Sequence, residues 1–276
     1  MNDRLFARFQ AVIMDKLGIK ITSAKKTMLQ SRLSKRLRLR GLKSYEEYFD
    51  LLFKSPAGRD EIQAFIDVIT TNKTDFFREP HHFDYLARNA FPQIVGGGRS
   101  LDLHRGINLW SAGCSSGEEP YTIAMVANEF FRLRQNLRYT IYASDICSTV
   151  LRKARTAVYP HHTAAPIPVD LKKKYLLRSK DRNNDQVRII PELRAKIRFL
   201  QLNFMDDEYR LPTKVQVIFC RNVMIYFDQE TQKKVLARMC RELLPGGYLF
   251  VGHSETLTGL GLPLVSVGPT IYRKIT

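Results

Sequence analysis

Leu109-Trp110-Ser111-Ala112-Gly113-Cys114-Ser115-Ser116-Gly117-Glu118-Glu119-Pro120-Tyr121 joins a short apolar run to the start of a helix through small residues and two carboxylates. The run Ile107 to Trp110 carries the bulk of a buried parallel strand. Gly113 and Gly117 remove the Cβ where the chain must turn sharply or approach a ligand, and Pro120 suits a first helical turn, where its missing N–H would be unpaired anyway. Ile123, Val126, Ala127, Phe130 and Phe131 then recur with helical spacing. A strand, a tight loop and a helix in this order form the βα junction at which doubly wound α/β sheets bind nucleotide-like ligands.

The loop reads G-x-x-x-G where a dinucleotide fingerprint reads G-x-G-x-x-G, and Glu118 and Glu119 would repel a pyrophosphate. Two carboxylates at a helix start suit a cationic ligand rich in amines and hydroxyls. S-adenosylmethionine, a sulfonium with an α-ammonium group, fits that description. An ordinary sheet-to-helix turn with a solvated glutamate pair explains the loop equally well, so the rest of the chain must decide.

The chain has 276 residues, enough for two domains, and no apolar run near the roughly 20 residues needed to span a bilayer. Met1-Asn2-Asp3-Arg4-Leu5-Phe6 lacks the apolar core of a signal peptide, which implies cytoplasmic residence and no membrane insertion. Cys114, Cys147, Cys220 and Cys240 are widely spaced, as in reduced cytosolic proteins, and the adjacent pairs His81-His82 and His161-His162 lack helical metal-ligand spacing, so no metal is expected. A formal net charge of +17 calls for an anionic partner: nucleic acid, an anionic membrane surface or an acidic protein.

Phe6, Phe9, Ile13 and Leu17 predict an amphipathic first helix that Gly18 ends. A second helix is expected from Ser23 to Arg40, with Met28, Leu29, Leu33 and Leu37 on its apolar side and Gly41 as its stop. No acidic residue occurs between Asp15 and Glu46, so Lys35, Arg36, Arg38 and Arg40 read as an uncompensated basic face for docking an acidic surface. Ser44-Tyr45-Glu46-Glu47 is a capping box for a third helix through Phe53, and a fourth runs from Ala57 to Ile69. Then comes a polar segment, 70–80, whose adjacent Phe76 and Phe77 imply packing rather than a free linker. A helix follows over 81–91, and Gly96-Gly97-Gly98 reads as a flexible boundary.

Further strands are expected at Tyr139 to Ala143, Ile197 to Leu202, Val215 to Cys220 and Tyr248 to Val251, with helices at Ser148 to Ala157 and Glu230 to Leu244. Pro245-Gly246-Gly247 should close the latter helix, and residues 264–275 form a final antiparallel hairpin. Asp145 ends the second strand 27 residues after Glu118, where such folds grip ribose hydroxyls. The proline-rich stretch from Tyr159 to Pro191 reads as an irregular insertion with a hairpin. This order predicts an α/β protein: a seven-stranded Rossmann-like class I methyltransferase sheet with a small N-terminal all-α domain and a small β insertion. The expected division is 1–91, helical with a linker, and 92–276, the methyltransferase domain, with the insertion over about 159–190.

Four stretches together resemble the CheR family of chemotaxis receptor methyltransferases: Thr71 to Glu79 (TNKTDFFRE), Gly117 to Tyr121 (GEEPY), Ala143 to Ile146 (ASDI) and Phe219 to Phe227 (FCRNVMIYF). The resemblance spans the chain and implies methyl transfer from S-adenosylmethionine to glutamate side chains on the cytoplasmic helices of chemoreceptors, leaving S-adenosylhomocysteine. By position it assigns Asn72, Thr74, Arg78, Glu118, Glu119, Asp145, Asn203, Phe204, Arg221 and Asn222 to the cofactor, and Arg78 and Tyr226 to the transfer site. Which of Glu118 and Glu119 faces the cofactor stays open. Some members bind a receptor-tail peptide through the β insertion. Here the tip from Lys180 to Asp185 lacks glycine, which counts against that partner.

The chemistry agrees on separate grounds. A glutamate with a pKa of about 4.3 is ionised at neutral pH, so the nucleophile needs no general base and a missing catalytic His or Cys is no objection. Two rivals remain at this point. A nucleic-acid methyltransferase acting on exocyclic amines would carry an Asn/Asp-Pro-Pro-aromatic motif after the fourth core strand, where this chain reads Arg221-Asn222-Val223-Met224. A module that only binds S-adenosylmethionine would show no turnover.

Overall fold

The computed structural model describes residues 1–96, 106–132, 137–181 and 183–275. Its helical part comprises α1 (Asp3–Leu17), α2 (Lys26–Arg40), α3 (Tyr45–Lys54) and α4 (Arg59–Ile69). Leu5, Phe9, Ile13, Leu29, Leu33, Leu37, Phe49 and Phe65 bury their side chains in one core, with Phe9 set edge-on to Phe49 at 5.0 Å. Asn2 and Ser44 cap α1 and α3 by accepting the N–H of Leu5 and Glu47. The reciprocal bond of the capping box is shifted by one residue, because Glu47 accepts the N–H of Lys43 rather than of Ser44.

The basic face of α2 is compensated, contrary to the sequence expectation. Glu61 of α4 is fully buried and accepts two hydrogen bonds from Arg36, both 2.7 Å, one from Arg40 at 2.5 Å and one from the Tyr48 hydroxyl at 2.9 Å. Burial pushes the Glu61 carboxyl up, but these donors hold it below its ordinary value. Arg36 and Arg40 are therefore structural cations, and of the expected docking set Lys35 and Arg38 stay exposed without an ion pair among the described residues. Met28 also departs from the apolar side and borders the cleft described below. The first turn expected in α2 is instead a separate 3-10 turn, Ser23–Lys25.

A second polar anchor joins the helices to the sheet. Asp67 of α4 accepts the backbone N–H and hydroxyl of both Ser148 and Thr149, at 2.6–3.0 Å, and so caps α8 (Ser148–Thr156), whose own N-cap Cys147 makes no side-chain capping bond. Orphan N–H groups at a helix start need such acceptors.

Residues 81–96 form α5 (His81–Tyr85), a π-helical turn (Leu86–Ala90) and α6 (Phe91–Gly96). Gly97 and Gly98 of the expected boundary lie outside the described residues. The main sheet holds β1 (Ile107–Ala112), β2 (Tyr139–Asp145), β6 (Ile197–Gln201), β7 (Val215–Cys220), β8 (Leu243–Val251), β9 (Leu264–Gly268) and β10 (Ile271–Lys274), in the order β6-β2-β1-β7-β8-β10-β9. The first five pair in parallel, and β10 runs antiparallel to β8 and β9. Helices α7 (Glu118–Phe131) and α11 (Gln229–Glu242) belong to this α/β layer. β1 and β7 are buried at every position, as strands covered on both faces must be.

Pro245-Gly246-Gly247 lies inside β8 instead of following a helix through Leu244. Gly246 takes a φ of +77°, and a Cβ on Gly247 would sit 2.7 Å from the Gln216 carbonyl, so the glycines let β8 bulge against β7. The stretch read as irregular is better ordered than expected. It contains β3 (Val158–Pro160), α9 (Val169–Tyr175), β4 (Leu176–Arg178), β5 (Gln186–Ile189) and the short α10 (Pro191–Arg194), with a three-stranded antiparallel sheet β3-β5-β4. Strands of three or four residues are too short to show alternation, and Arg182 in the hairpin tip lies outside the described residues. Among the described residues no helix is long and apolar enough to cross a membrane.

Candidate active site

The C-terminal ends of β1, β2 and β7 meet where the strand order reverses on either side of β1, the place at which open α/β sheets bind ligands. A cleft of about 320 Å³ opens there. Its far wall comes from the helical part: Ile19, Lys20 and Ile21 between α1 and α2, Ile69 at the end of α4, and the segment 70–75 after it.

The loop after β1 closes on β2. Gly113 and Cys114 donate N–H to the Ser144 carbonyl at 2.8 and 2.9 Å, and Ser115, with φ +48°, donates to Asp145 Oδ2 at 2.8 Å. Asp145 Oδ1 accepts the Cys147 N–H at 2.9 Å. Asp145 thus ties the loop after β1 to the start of α8 and lines the cleft. Burial pushes the Asp145 carboxyl up, partly offset by these N–H groups.

Only Glu119 of the glutamate pair lines the cleft. Successive helical residues lie about 100° apart, so the two side chains cannot share one direction. Of the expected cofactor set the structure does not bring Glu118 to the cleft lining: it accepts the Ser116 hydroxyl at 2.8 Å. Glu119 accepts the Ser111 hydroxyl at 2.7 Å and lies 3.6 Å from Arg221 Nη1. Its carboxyl is raised by burial and pulled back by Arg221 and Ser111. Anionic oxygens in so dry a place favour a cation or N–H donors as neighbours.

Arg221, at the end of β7, has a 2% exposed side chain between two carboxylates, with Nε 3.5 Å from Glu79 and Nη1 3.6 Å from Glu119. Its Nη2 donates to the Arg78 carbonyl, and the guanidinium lies over the Phe83 ring at 5.3 Å. Nε and Nη1 make no hydrogen bond although both are buried, so the two carboxylates hold them by charge alone.

The 70–80 segment is fixed at both ends. Arg32 donates to the carbonyls of Ile69 and Thr70 and to the Thr71 hydroxyl, while the Ser115 hydroxyl donates to the Asn72 carbonyl at 2.8 Å. Phe76 is buried edge-on against Tyr159 at 5.0 Å, and Phe77 packs on Phe83 at 5.6 Å, so the paired aromatics anchor the segment as their sequence position implied. Asn72, Thr74 and Arg78 thereby line the cleft. Arg78 holds the Lys73 carbonyl at 3.2 Å through Nη1.

Asn203, Phe204, Asn222 and Tyr226 also line the cleft. Asn203 also donates its amide to the Lys16 carbonyl at 2.8 Å, and Lys20 N–H meets the Tyr226 carbonyl at 2.9 Å, so both residues tie the helical part to the sheet. Phe77, Glu79, Ser115 and Asn222 all have positive φ, from 48° to 58°. Such backbone strain in non-glycine residues, gathered around one cleft, persists only where surrounding contacts impose it. Lys35, Arg36, Arg38 and Arg40 lie outside the cleft.

Several contributors escaped the sequence reading. Ile19, Lys20 and Ile21, just past the glycine that ends α1, were given no role, and Ser111 was read only as part of the strand-to-helix loop. Glu255, in the turn after β8, was also given no role.

Residues 4–70 match the family model of the CheR methyltransferase all-alpha domain, and residues 72–268 match that of the CheR methyltransferase SAM binding domain. The chemotaxis protein methyltransferase 2 of Pseudomonas aeruginosa is 42% identical over 92% of this chain and 87% of its own. The chemotaxis protein methyltransferases of Borreliella burgdorferi and Escherichia coli are each 38% identical, over 97% and 99% of this chain and 93% and 91% of theirs.

Proposed function

The chain belongs to the CheR methyltransferase family and uses S-adenosylmethionine, and from this premise we propose that it methylates glutamate side chains of chemoreceptor cytoplasmic helices, forming glutamyl methyl esters. The observation that carries the reading is the convergence of Arg78, Glu119, Asp145 and Tyr226 on one cleft. The residues present fit the cofactor's charges. Glu119 suits its α-ammonium group, the positive charge of Arg221 beside it suits its α-carboxylate, and the Asp145 carboxylate suits ribose hydroxyls. Asn72, Thr74, Asn203, Phe204 and Asn222 frame the rest of the cofactor.

When bound, S-adenosylmethionine supplies an electrophilic methyl group on sulfur. The protein's part is then to seat the incoming carboxylate in line with that methyl, and orientation of this kind is worth several kcal/mol. Arg78 offers two N–H groups in a fixed fork to one carboxylate, and the Tyr226 hydroxyl donates to its second oxygen. The substrate glutamate is already ionised, so no residue has to remove a proton. The division of the chain follows the same reading: 1–91 meets the receptor and contributes Asn72, Thr74 and Arg78 to the cleft, and 92–276 supplies the rest of the transfer site, in the cytoplasm.

Transfer of labelled methyl to a receptor cytoplasmic fragment, with RNA offered in parallel, tests the proposal. Label on the receptor alone is expected. Label on RNA favours the nucleic-acid alternative, and none on either favours a module that only binds the cofactor.

The exposed cations Lys35 and Arg38 are the docking residues that survive the pairing of Arg36 and Arg40 with Glu61. Exposed pairs contribute about 0–1 kcal/mol each, and a Debye length of about 8 Å screens them. Replacing both with glutamine should raise receptor KM about two- to fivefold at low salt and leave cofactor affinity unchanged. Normal KM in steady-state assays at both low and high salt would mean that this face is only solvated.

A further inference from the structure

Beyond the end of β8 the chain turns through Gly252, His253, Ser254 and Glu255, closed by the Glu255 N–H on the Gly252 carbonyl at 2.9 Å. The Glu255 side chain is buried, and no ion pair among the described residues neutralises it. Its Oε2 accepts the N–H of Gly252 at 2.6 Å and of Asn222 at 3.0 Å. Its Oε1 is buried without a hydrogen-bond partner, and burial raises the proton affinity of the carboxylate while the surrounding backbone N–H groups lower it. One acid thus bridges the turn after β8 and the start of the loop that ends in Tyr226.

Gly252 serves the same contact. A Cβ there would lie 2.6 Å from Asn222 Nδ2, 2.8 Å from Asn222 N and 2.9 Å from Glu255 Oε2, so only glycine lets the turn close on Asn222. Asn222 is held with φ +58°, a conformation that asparagine tolerates better than most residues and that its neighbours must impose. Asn222 and Tyr226 line the cleft, whereas Gly252 and Glu255 do not.

We infer that Glu255 is a positioning residue for methyl transfer, which fixes the loop after β7 and through it sets Tyr226 against the reacting carboxylate. The inference rests on the proposed role of Tyr226. Its signature is therefore a loss of turnover much larger than any loss of cofactor affinity.

Glu255→Ala, Glu255→Gln and Gly252→Ala in the full chain test it, with wild type assayed beside them for receptor kcat and for cofactor Kd by calorimetry. Misplacement of a reacting group by an ångström costs about 100-fold in rate, and kcat of Glu255→Ala should fall by about that factor while Kd changes by less than about tenfold. Glu255→Gln keeps a carbonyl oxygen for the Gly252 and Asn222 N–H groups and should recover at least about tenfold of the lost kcat. Gly252→Ala leaves the carboxylate and displaces Asn222, so it should reproduce the slow turnover even where Glu255→Ala does not fold. Folded variants with wild-type kcat, an equal loss of kcat and affinity, or no recovery in Glu255→Gln would each overturn the positioning role. Wild type that transfers nothing to receptor would overturn the functional reading itself, and the role of Glu255 with it.

Discussion

Arg221→Met is expected to abolish measurable methyl transfer and to destabilise the protein by about 3–5 kcal/mol, because it leaves two carboxylates buried without their cation. The side chains of Glu79 and Glu119 are only 9% and 14% exposed, and Arg221 lies within 3.6 Å of both. Methionine keeps much of the volume against Phe83 and Phe219 and removes the charge, so packing alone would predict a far smaller effect. Arg221 also holds the Arg78 carbonyl, and its loss frees the strained segment that carries Arg78. Urea unfolding followed by circular dichroism gives the stability change, and calorimetry with S-adenosylmethionine gives the affinity. An unfolding midpoint equal to that of wild type would show that the two acids do not depend on this guanidinium.

Arg78→Lys should lower kcat about 100-fold and change cofactor affinity by less than about threefold. Lysine keeps the positive charge but presents a point ammonium in place of a planar fork, and so cannot hold two carboxylate oxygens in a fixed plane. Because Arg78 contacts the Lys73 carbonyl through Nη1, part of the fork remains for a ligand. Steady-state turnover on a receptor fragment, set beside the calorimetric Kd, separates orientation from binding. If Kd rises in step with the fall in kcat, Arg78 serves the cofactor and another group orients the substrate.

What could be read before the structure was known was local. Gly113, Gly117 and Pro120 announce a strand-to-helix turn through their own backbone preferences, and Asp145 is placed by its position at a strand end. Phe76 and Phe77 betray an anchored segment because apolar rings in a polar stretch need a surface. What could not be read depends on phase or on distant partners. The choice of Glu119 over Glu118 requires the rotation of α7 against the sheet, which no spacing rule supplies. The pairing of Arg36 and Arg40 with Glu61 requires α2 and α4 to be packed together, so a charge count along α2 alone overstates its free cations. The glycines in β8 resemble a helix stop until β7 is brought alongside.

The identity of the bond that receives the methyl group is the most direct measure of the proposed chemistry. Receptor fragment labelled by the wild-type protein should carry the methyl on glutamate side chains in peptide mapping by mass spectrometry, and mild alkali should release it as methanol, as an ester requires. Label that survives alkali, or that maps to lysine or arginine, would contradict glutamyl ester formation in this cleft.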